Sequence, residues 1–131
     1  MSNIRQRDLS IGDWVDAGGE PAKIIQLGIV GRNKAKGLSG QMYGFLTSSE
    51  IEPIPITSEI LKSNGWYEDD YDTCTDYITD DTIIMYNKER KDWKACIMNG
   101  SPVVRVKVFF TYVHELQHAL RLAGLDKDIK L

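Results

Sequence analysis

The order of apolar and polar positions divides the chain near residue 56. Before that point, short alternating stretches are punctuated by glycine. Ile11, Trp14 and Val15 lead into Asp16-Ala17-Gly18-Gly19-Glu20, and Ala22, Ile24, Ile25 and Leu27 follow. This is strand, turn, strand, with the glycine pair supplying the positive φ that a tight hairpin requires. Residues 30–40 are basic and glycine-punctuated and read as a loop. Residues 41–46 and 49–54 read as two further short strands.

After that point the pattern changes. Pro53 and Pro55 hold Glu52 and Ile54 extended and end the first part. Thr57 then caps a short helix with Ile60 and Leu61 facing inward, Ser63-Asn64-Gly65 closes it, and Trp66 and Tyr67 pin its end. A meander follows, with strands at residues 77–79, 82–87, 93–98 and 103–109 and turns at 88–92 and 99–102. In its last strand Val104, Val106 and Val108 alternate with Arg105 and Lys107, the mark of an antiparallel strand with one wet face.

Residues 109–124, FFTYVHELQHALRLAG, read as a helix. At about 100° per residue, Tyr112, Val113, Leu116, Ala119, Leu120 and Ala123 share one arc, while His114, His118 and Arg121 share the opposite, polar face. Thr111 is the expected cap and Gly124 the expected stop. The fold class expected is α+β. Residues 1–56 form a small SH3-like, β-barrel-like part, and residues 57–131 add a helix, an antiparallel β-meander and a C-terminal helix. The SH3-like similarity rests on the Gly12-Asp13-Trp14-Val15 opening, the short strands and the long early loop.

Composition narrows the function classes. With 131 residues and 42% apolar content, the chain can bury one ordinary core or two small ones. A net charge of −3 gives no reason to expect general nucleic-acid binding. The charge is uneven, however. Residues 66–81 hold Glu68, Asp69, Asp70, Asp72, Asp76, Asp80 and Asp81 without a basic residue, which reads as a solvated loop, since the spacing fails a calcium-loop pattern. The opening MSNIRQRDLSIGDW lacks the apolar stretch of a signal peptide, and no run is long enough to span a bilayer. Cys74 and Cys96 suit neither a disulfide framework nor a metal knuckle. A cytoplasmic protein with two reduced thiols and no membrane partner is expected.

Two stretches carry candidate chemistry. His114-Glu115-Leu116-Gln117-His118 spells H-E-x-x-H, in which two histidines one turn apart bind zinc and the glutamate works on a metal-bound water. A catalytic zinc needs a third protein ligand, and after Ala119 there is neither a glutamate nor a third histidine. The expectation is therefore no metal, no cofactor and no catalytic residue, with a zinc-dependent hydrolase kept as the alternative. The second stretch is the basic loop, where Arg32, Lys34 and Lys36 beside glycines could hold an anion, although no Gly-Lys-Ser/Thr follows as in a phosphate loop.

The succession of IGDWV, IEPIPITSEILKSNGW, a meander and YVHELQHALRL resembles a group of short, functionally uncharacterised proteins carried by phages and integrated mobile elements of gut bacteria. The resemblance is strongest at residues 51–66 and 112–122. In that group the residue matching Glu115 is often glutamine and the one matching His118 commonly asparagine, so the resemblance makes His114, Leu116 and Gln117 the characteristic positions. It implies an accessory protein that binds and does not catalyse, an inhibitor or sequestering agent acting against host defence in the host cytoplasm. The partner expected is a host protein or an anionic small molecule, met by His114, His118, Arg121, Arg32 and Lys34. A structural or assembly module forming a homo-oligomer is the third reading.

Overall fold

The structure is a computed structural model that describes residues 4–28, 32–98, 104, 106–125 and 127–131. Among the described residues the chain is α+β, with two five-stranded antiparallel sheets and two α-helices. It divides into two compact units, residues 1–55 with 131, and residues 56–130.

The first unit contains β1 (Trp14–Ala17), β2 (Glu20–Gln26), β3 (Asn33–Gly37), β4 (Met42–Leu46) and β5 (Ile51–Pro53). Their order in the sheet is β4-β3-β2-β1-β5, the last strand folding back beside the first to make an SH3-like half-barrel. The inward residues explain the curl. Ala17, Ala22 and Ala35 are small and fully buried, and bulges interrupt the pairing near Ile24 and between Asn33 and Ala35. Bulges bend and twist a strand, and small inner side chains let the bent sheet close on itself. Ile4, Leu9, Val15, Ile24, Leu46 and Ile51 complete this core.

A β1–β2 hairpin turns through Gly18 and Gly19, whose φ values are 61° and 86°. At Gly18 a side chain is doubly excluded, since an added Cβ would also sit 2.8 Å from the Tyr43 ring. Buried Asn33 replaces an apolar core residue at the start of β3. Its amide exchanges two 2.9 Å hydrogen bonds with Gln6 and donates to the Leu46 carbonyl, which satisfies the polar group in place.

The expected basic loop is here a strand over Asn33–Gly37, while residues 29–31 lie outside the described residues. The reason is visible in its alternation. Asn33, Ala35 and Gly37 face inward and Lys34 and Lys36 outward, so the buried set contains nothing strongly apolar. The strand expected at residues 49–54 is also shorter, since a 3-10 turn over Ser48–Glu50 precedes β5.

The second unit opens with α1 (Ser58–Ser63), capped as expected by Thr57, whose hydroxyl accepts the Ile60 N–H at 3.2 Å. It continues with β6 (Tyr67–Asp70), β7 (Cys74–Ile78), β8 (Thr82–Asn87), β9 (Asp92–Ile97), β10 (Val106–Phe110) and α2 (Val113–Leu122). The sheet order β10-β9-β8-β7-β6 is a simple meander, and α2 packs on β9 and β10. The turn expected at residues 99–102, and Arg105, lie outside the described residues.

The acidic run is not a loop but largely the β6–β7 hairpin. Thr75 and Tyr77 are buried between the partly exposed Cys74, Asp76 and Ile78, a period of two that acidic composition conceals. Its charges are anchored: the Asp70 carboxylate accepts from Thr75 at 2.8 Å and pairs with Lys88 at 2.7 Å. The Lys88 and Thr75 donors hold Asp70 below the usual carboxylate range. Trp66 is 2% exposed and donates its indole N–H to buried Thr82 at 2.6 Å, whereas Tyr67, also expected to pin the helix, is 71% exposed. The C-terminal segment lies over this region. Lys127 sits 3.9 Å from the Trp66 ring centroid, Ile129 is buried, and the Asn64 side chain exchanges hydrogen bonds with the backbone of Lys130. Burial lowers the Lys127 ammonium, partly opposed by Asp81.

Candidate functional site

The H-E-x-x-H helix has its N-terminus on a single carboxylate. Glu115 Oε1 accepts the backbone N–H of Thr111 at 2.9 Å and of Tyr112 at 3.0 Å. A helix leaves its first N–H groups without intrahelical acceptors, and an acid three residues inside the cap reaches back to satisfy them. Tyr112 is therefore the capping position and Glu115 supplies the acceptor, in place of the expected Thr111 hydroxyl. The residue that would act as general base in a zinc peptidase is engaged in holding the helix end.

The imidazoles also lie differently from expectation. His114 and Gln117 are each 6% exposed, so the polar side of the helix is covered over its first two turns. Arg121, on the same side one turn on from Gln117, is exposed, and His118 is half-buried. His114 stacks with Tyr112, their ring centroids 6.0 Å apart at 13°, and meets His118 edge to face at 5.7 Å. Val113, Leu116 and Leu120 are fully buried on the apolar arc as the periodicity predicts, and Gly124 follows with φ 81°. Burial of Leu116 and Leu120 stabilises the docked helix by about 1.5–3 kcal/mol per side chain. Among the described residues, no three His, Cys, Asp or Glu side chains are gathered as metal ligands would be.

Arg32 and Lys34 belong to the other unit. Both are exposed, Arg32 just before β3 and Lys34 within it. Strand alternation puts Lys36 on the same face as Lys34, and the β2–β3 register sets Lys23 directly opposite Lys36. Met42, 52% exposed, continues this row on β4, and Trp14 begins it on β1 with the Lys23 ammonium 5.6 Å from its ring. Lys23 is the member that sequence reasoning missed, since only the pairing of two strands brings it to Lys36. Lys23 and Lys36 thus stand side by side on adjacent strands, and Lys34 lies one step further along β3.

The same unit holds a fixed carboxylate. Glu20 accepts from the Tyr43 hydroxyl at 2.6 Å, the Ser39 N–H at 2.9 Å and the Ser39 hydroxyl at 2.7 Å. These donors, Tyr43 foremost, hold it below the usual carboxylate range. The group ties the β3–β4 turn to β2 and stands on the inward side of that turn, where an added Cβ at Gly37 would meet it. Compared with protein-family models, curated proteins and solved structures, the chain gives no match.

Proposed function

We propose that this is a non-enzymatic binding protein, an accessory protein of a phage or mobile element that sequesters an anionic ligand or inhibits an acidic host component. The observation that carries the reading is the Lys23, Lys34 and Lys36 row, three cations on one sheet face with Arg32 beside it. Clustered exposed cations of this kind are suited to meeting an anionic group. The engagement of Glu115 at the helix terminus supports the same reading, because hydrolysis by H-E-x-x-H would need that carboxylate at a bound water. The role against host defence rests on the sequence resemblance.

Calorimetric titration with ATP, a cyclic dinucleotide and a polyglutamate peptide at two salt concentrations tests the proposal. Binding of at least one probe is expected, weakening with salt as screened surface charges must. In the K34E/K36E variant it should fall at least about tenfold, an effect of the size expected when charge complementarity is reversed. Absence of binding to all three probes, or unchanged binding in that variant, counts against an anion-binding face.

A further inference from the structure

The outer face of the second sheet has a different charge plan. Strand pairing lines up two rows across all five strands. One runs Tyr67, Ile78, Ile83, Cys96, Lys107 and the other Asp69, Asp76, Met85, Lys94, Phe109. Every one of these residues retains solvent exposure, with Tyr67 at 71% and Phe109 at 59%. Along these two rows the face is acidic on β6 and β7, apolar on β8 and basic on β9 and β10, while Asp92, one step further along the same face of β9, is paired with Arg90. Asp69 stands directly opposite Asp76, a like-charge pair, while Lys94 lies 6.0 Å from the Phe109 ring centroid.

We infer that this face pairs with the same face of a second copy of the chain, about a two-fold axis parallel to β8. That operation carries β7 onto the second copy's β9 and leaves β8 facing itself. Asp76 then faces the second copy's Lys94, Ile78 its Cys96, and Tyr67 its Lys107, while Ile83 and Met85 each face their own counterparts. A two-fold interface must be self-complementary, and an acid–apolar–base sequence of strands meets that condition with the axis in this direction. An axis across the strands would lay acid on acid. Facing sheets pack about 10 Å apart with their strands rotated by about 30°, so the pairs nearest β8 contribute most.

The size of the face sets the strength. Five strands of about five residues cover roughly 24 by 17 Å, so two copies bury on the order of 1,000 Å² in total, at the low end of specific interfaces. An interface of this size belongs with transient associations.

Sedimentation velocity over a concentration series tests this on the full chain. Wild type should shift from monomer to dimer as concentration rises, and D76K and K94D should each weaken association at least about tenfold, as facing like charges do. The double variant D76K/K94D should recover it, and so should an equimolar mixture of the two single variants, which restores both ion pairs in a heterodimer. Circular dichroism of each variant separates this from misfolding. A monomer at every concentration, or a double variant and mixture no better than the single variants, overturns the proposal and assigns the face to a different partner.

Discussion

The two sheets have the same number of strands and the same antiparallel pairing, yet they arrange their exposed charge differently. On the half-barrel, Lys23, Lys34 and Lys36 gather on the adjacent strands β2 and β3, with Asp16 and Glu52 farther along the same face on β1 and β5. On the meander, Asp69 and Asp76 are separated from Lys94 and Lys107 by an apolar strand. On the first the cations stand side by side, Lys23 opposite Lys36, whereas on the second an apolar strand separates the two signs. The inner faces differ too. Small alanines and bulges curl the first sheet, while Tyr77, Ile84, Ile97 and Phe110 build a bulkier inner layer on the second.

Each sheet is centred on one fully buried isoleucine paired with an alanine, Ile24 with Ala35 and Ile84 with Ala95. Replacing either by alanine should cost about 2–5 kcal/mol, since the flanking alanine offers little side chain to fill the cavity. Chemical denaturation would give the magnitude. Amide hydrogen exchange should lose protection in β1–β5 for I24A and in β6–β10 for I84A. Protection lost from the wrong sheet would show that the core assignment is mistaken.

A smaller effect is expected where the α2 terminus meets its carboxylate. E115A should cost about 1 kcal/mol, the usual loss of a helix N-terminal cap, and E115Q less, because its amide oxygen still accepts an N–H. Denaturant midpoints of the two variants decide it. Equal loss in both would mean that the negative charge, and not the hydrogen bonds, holds the helix end.

Acid should weaken both units. Glu20 in the first unit has a folded-state pKa held down by Tyr43 and Ser39, so its stabilising contribution is present above the ordinary carboxylate range, about pH 4. As pH falls through the lower folded value, the proton competes with the donors and that contribution disappears. Asp70, held down by Lys88 and Thr75, gives the same sign in the second unit. Thermal melts between neutral and acid pH should show a shallower loss of stability in E20Q than in wild type. An unchanged profile would mean that ionised Glu20 gains no more from these donors than a neutral acceptor does.

Much of the architecture was legible in the chain. Gly18-Gly19, Thr57 as a cap, the β8 and β9 strands and the apolar arc of α2 each follow from local rules of turn, cap and period. What escaped has one physical cause. In β3 the inward positions are Asn33, Ala35 and Gly37, and in β7 they are Thr75 and Tyr77, so burial there is not written in strongly apolar side chains. Asn33 is buried because Gln6 and Leu46, far along the chain, satisfy its amide, and Thr75 because Asp70 on the paired strand accepts its hydroxyl. The same holds for α2. Periodicity located its apolar arc but could not show that His114 and Gln117 on the other side would also be covered, or that Glu115 would turn back to the cap. The lysine row is a product of strand register, which no linear reading contains.

The claim on which the non-enzymatic reading depends is that Glu115 is committed to the N-terminus of α2. Zinc titration of protein prepared in chelator-free buffer, followed by calorimetry, tests it most directly. No saturable tight binding is predicted, and no difference between wild type and H118A. One equivalent of zinc held tightly and lost in H118A would contradict the account, and would return the helix to the hydrolase reading.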